Sequence, residues 1–141
     1  MDSALLHALH VLGAAIWVGG MFFALLVLRP SLAVLEPPQR LALHMQVFRR
    51  FFLVVWHAMP LVIASGYALV FTRHGGFAAS APALLVMHAL GWIMALVFLV
   101  IFFVHWRRLR GGDRAALDAI RRLIAVNLVL GCAAIAAGAF I

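Results

Sequence analysis

The chain has 141 residues, 67% of them hydrophobic, with a mean hydropathy of +1.15. That is too apolar for a soluble domain and long enough for one small membrane bundle, so a single transmembrane domain over 1–141 is expected. The formal charge of +7 would point to nucleic acid in a soluble protein. Here every basic residue is an arginine beside or between apolar runs, which membrane topology explains without a nucleic-acid partner.

The first apolar run, Leu5 to Leu28, contains two histidines and no formal charge. As a helix it would be roughly 36 Å long, enough to cross a hydrocarbon core of about 30 Å. Asp2 replaces the basic region of a signal peptide and the run is too long for one, so the helix is expected to stay in the protein. His7, His10, Ala14, Trp17, Met21 and Ala24 recur at steps of three and four along one seam, which should face other helices or a bound group. The first span is placed at about 4–28, with Arg29-Pro30 ending it. Pro37-Pro38 then breaks the connection, and short amphipathic turns, including Leu41 to Gln46, are expected in the headgroup region.

The second span is expected over 47–72, with Pro60 kinking it near His57. A turn-rich link follows, and the third span, 83–105, closes with Trp106 at the interface. The fourth, 117–141, carries Gly131 and Gly138 on one face, suited to close packing. The lone Cys132 is expected to pack inside. The whole reads as an all-α, integral-membrane, antiparallel four-helix bundle. Ten of the eleven arginines lie in or beside the first and third connections and only Arg73 in the second. This predicts a bacterial inner-membrane protein with both termini on the outer, periplasmic side.

Counting rise from the outer surface puts His10 about 10 Å deep and His88 about 9 Å deep, whereas His57 lies at roughly 22 Å. Two level imidazoles on facing helices are what a six-coordinate heme needs. His10 and His88 are therefore the expected axial ligands of a heme b iron, with His57 as the alternative. Gly13 and Gly91 would leave room for the macrocycle and Trp17 and Trp92 would pack its edges. Arg73, His74 and Tyr67 would meet its propionates. A copper site is the competing reading: Met94 and the other methionines, with the same histidines, are soft ligands that suit Cu(I).

Ala8-Leu9-His10, then Trp17, Gly20 and Arg29, resembles the first helix of the CopD/HemJ-like membrane proteins. Ser65-Gly66, His105, and Arg121-Arg122 followed by Asn127 extend the resemblance along the chain. It implies a helical inner-membrane bundle. In the HemJ branch it implies heme b, held by the histidine that matches His10, and protoporphyrinogen oxidation; in the CopD branch it implies copper handling. The HemJ lysine of the third helix falls on Met94 here, and the chain contains no lysine, so that oxidase chemistry loses its residue. The expectation is a heme b protein for electron transfer or a membrane oxidoreductase, working with a quinone or an outer-face redox partner. Copper transport or handling is the alternative, and the sequence leaves a homo-oligomer open.

Overall fold

A computed structural model describes residues 2–141, Ala79 by its backbone. Four helices, each long and apolar enough to cross a bilayer, pack together: α1 (Ser3–Val34), α2 (Pro37–Arg73), α3 (Pro82–Arg110) and α4 (Ala115–Gly138). Short connections make successive helices antiparallel, and α1 also packs on α4, which closes the bundle. Both chain ends therefore sit at one end, called here the terminal end. The α1–α2 and α3–α4 connections, with their arginines, lie at the other.

The helices begin and end where backbone chemistry allows, and this corrects several sequence expectations. The Asp2 side chain caps α1 by accepting from the Ala4 N–H at 3.2 Å. Arg29-Pro30 does not end α1. A wide π turn at Phe23–Leu28 precedes it, and the helix resumes through Arg29–Ser31. The residue after such a turn is again a helix beginning, where the N–H that Pro30 lacks is not missed.

Pro37-Pro38 likewise starts a helix instead of breaking the connection. Both prolines lie in the first turn of α2, and Glu36 and Gln39 form a reciprocal cap around them. Leu41 to Gln46 belongs to this same helix. At 37 residues α2 is roughly 55 Å long, so its arginine-rich end projects beyond any hydrocarbon core.

The core is densest in the arginine-rich half. There α2 and α3 approach each other least closely of the neighbouring helices and are joined by large rings. Phe52 meets Phe98 at 6.0 Å and Trp106 at 5.3 Å, and Trp56 meets Phe98 at 5.4 Å and Phe102 at 5.3 Å. Trp106, expected at the interface, is 4% exposed because it fills this gap. On the other side small residues bring backbones close. A Cβ on Gly20 would come within 2.6 Å of the Phe51 ring, and one on Gly131 within 2.7 Å of Val18. Cys132 lies on the outer surface of α4, exposed, contrary to the packing role expected for it.

Candidate functional site

At the terminal end the large rings give way to small residues and histidines, and the bundle opens into a cavity of 590 Å³. His10 and Trp17 of α1, and His88, Gly91 and Met94 of α3, all line it, whereas Met21 and Ala24 of the same α1 seam do not. Arg73 and His74 lie on its wall at the end of α2, and Trp92 on the α3 side. Met87, one of the methionines of the copper reading, lines it as well, and so does His7, which the seam included without a ligand role.

The two central histidines are held in the same way. His10 Nδ1 donates to the Val62 carbonyl at 2.9 Å and lies 3.2 Å from Ser65 Oγ. His88 Nδ1 lies 3.3 Å from the Leu84 carbonyl of its own helix. A carbonyl oxygen only accepts, so in each ring Nδ1 carries the proton and Nε2 keeps a free lone pair. Among the described residues neither Nε2 has a hydrogen-bond partner. This is the arrangement that prepares an imidazole for a metal.

Gly66 of α2 brings the two rings into one neighbourhood. A Cβ there would lie 3.0 Å from His10 Cε1 and 3.8 Å from His88 Nε2. The His88 ring stands edge-on between Tyr67 and Phe77, with centroids at 5.2 and 5.3 Å. Tyr67 in turn accepts from Trp92 Nε1 at 3.1 Å. Tyr67 is therefore a buttress behind His88 and does not line the cavity where a propionate was expected to meet it. Around Gly91 the space is open, since a Cβ there would meet nothing within 4 Å.

Gly13 and His57 are corrected. Gly13 is buried at the α1–α2 contact, where a Cβ would come within 2.7 Å of Val62; it serves helix approach and lies outside this cavity. His57 lies outside the cavity, on the exposed face of α2, with Nδ1 on its own Leu53 carbonyl at 2.8 Å. Among the described residues no three His, Cys, Asp or Glu side chains cluster as a ready metal site, so any metal here rests on the two imidazoles and the neighbouring thioethers.

Below the cavity, Asn127 of α4 is 1% exposed and donates from Nδ2 to the Met94 carbonyl at 3.2 Å. Met94 Cε lies 3.1 Å from where a Gly131 Cβ would sit, so this thioether crosses to α4 and forms the cavity floor. Sequence reasoning gave Ser65, Gly66 and Asn127 no role at the site. Only the family resemblance had singled them out.

The fold and cavity thus define a multi-pass helical membrane protein with a histidine- and methionine-lined chamber at one end. The chain belongs to the CopD family: residues 45–141 match the family described as Copper resistance protein D. The matched span takes in His57, His88, Met94 and Asn127 and leaves α1, with His10 and Trp17, outside it. No curated protein and no solved structure matches the chain.

Proposed function

We propose that the protein handles copper in a bacterial inner membrane, taking the ion from the outer side into the cavity at the terminal end. The reading is carried by one observation: His10 and His88 line a common cavity, and each has its Nδ1 tied to a carbonyl and its Nε2 free. Imidazole and thioether donors suit Cu(I), and Met87 and Met94 bring the thioethers. Membership of the CopD family supports the same chemistry. Copper is here the cargo, so the site has to release it as well as hold it, which a small donor set allows.

A second reading has its own support. A cavity of 590 Å³ is much larger than one ion needs, and it lies in the range of pockets that hold organic cofactors. Heme b held by His10 and His88 would place Gly91 and Trp92 beside the macrocycle and Arg73 and His74 within the same cavity as its carboxylates. Bound heme would supply one-electron transfer, with a quinone or an outer-face protein as the partner. Protoporphyrinogen oxidation has less support, because a thioether at Met94 cannot take up a proton as a lysine can.

Metal analysis and an absorption spectrum of the purified protein, oxidised and dithionite-reduced, separate the readings. Copper retained at about one ion per chain without a sharp band pair supports copper handling. A sharp reduced band pair with iron supports heme b instead. In either case His10→Ala and His88→Ala should each remove the bound metal while His105→Ala leaves it. Retention of full metal by both variants would refute the site.

A further inference from the structure

His57 is the intramembrane histidine that the cavity leaves unused. Its ring lies on the exposed face of α2, and counting from Thr72 places it about 22 Å along the helix, well inside the apolar stretch. Ionisable side chains at such depth nearly always face a bundle interior or a water-filled cavity, and mark substrate or ion pathways.

The chemistry of the ring narrows what could cover it. Nδ1 donates to the Leu53 carbonyl at 2.8 Å, so neutral His57 presents a bare acceptor, Nε2, and no described residue donates to it. Pro60 adds a second acceptor on the same turn, since it has no N–H for the Trp56 carbonyl. Beside the ring runs a groove of 380 Å³ between α1 and α2, with Gly13, Ile16, Leu53, Val54 and Leu61 as its apolar walls. His57 is the one polar side chain among its lining residues.

An occupant must therefore be apolar along its body and must bring a hydrogen-bond donor. Lipid tails have no donor. A second copy of the chain meeting this face by two-fold symmetry would set acceptor against acceptor, because an isologous contact pairs each patch with itself. We propose that the groove binds a lipid-soluble aromatic diol of the hydroquinone class, one hydroxyl donating to His57 Nε2 and the ring lying against the Gly13–Leu61 walls. The proposal concerns binding alone and holds whichever metal the cavity takes.

The test uses the full chain in phosphatidylcholine nanodiscs, titrated with decyl-hydroquinone and with its dimethyl ether, which has the same body and no donor. Binding is read by equilibrium partition and by the ring-nitrogen NMR shift of His57. The diol should bind about tenfold more tightly than the ether, the ratio that one lost hydrogen bond produces. His57→Leu should erase that preference, His57→Gln should keep part of it through its amide carbonyl, and Cys132→Ala, on the outer surface of α4, should leave it intact. Equal affinity for diol and ether, or a preference that survives His57→Leu, would overturn the proposal. So would a Leu53→Cys cross-link between two copies that forms as readily in the presence of excess diol as in its absence.

Discussion

Ser65 acts on the cavity without lining it. Its hydroxyl donates to the Leu61 carbonyl at 2.5 Å and so turns a lone pair to His10 Nδ1 at 3.2 Å, which fixes the ring that carries Nε2. Ser65→Ala should lower copper affinity about tenfold, the usual cost of losing a partner behind a metal ligand, with the fold unchanged. Competition against a Cu(I) chelator measures it, and an unaltered affinity would refute the role. Gly66→Ala should cost more, because its Cβ would stand 3.0 Å from His10 Cε1 and the ring would have to move. That His10 and His88 reach one cavity was legible in the sequence because a helix has a constant rise, so depth can be counted. The parts played by Ser65 and Gly66 were not, since they depend on which helix lies alongside α1. His57 shows the same limit: its depth was readable, but the direction in which it points was set by packing that no residue count contains.

Between helices, the same chain uses two opposite devices. Small residues draw α1 against α2 and α4, whereas aromatic rings hold α2 and α3 apart and fill the space between them. Phe52 is central to the second device, at 1% exposure and touching Phe48, Phe98, Phe102 and Trp106. Phe52→Ala would leave a cavity that its neighbours cannot close together, at a cost of about 3 kcal/mol. Thermal unfolding in detergent should show it as a clear loss of stability. Metal binding in the folded fraction should persist, since the ring is remote from His10. Equal stability to the parent would mean that α2 and α3 can close the gap by moving. Hydropathy made all four spans legible, but their ends were misread at Arg29-Pro30 and Pro37-Pro38. Proline breaks a helix only where an N–H is needed, and the π turn before Pro30 and the first-turn position of Pro37-Pro38 both remove that need.

For the molecule as a whole, the decisive question is which way the cavity opens, and the arginine distribution supports a proposal. Four antiparallel helices place both chain ends together, at the end that holds the cavity. Arg29, Arg40, Arg49 and Arg50 sit at the opposite end with the arginines around Gly112, whereas Arg73 alone lies at the cavity end. Arginine in short connections is retained on the cytoplasmic side during insertion, and on that ground we propose that the cavity faces outward. The hypothesis predicts that a reporter fused after Ile141 is active only when exported, and one inserted at Gly112 only when retained. Its consequence reaches function: an outward cavity would collect copper from the outer space, and Met94 and Asn127 would lie between it and the cytoplasmic half of the bundle. Reporters that place Gly112 outside would reverse that direction, so that the same imidazoles would receive copper from the cytoplasm, and the uptake reading would fall even with the metal site intact.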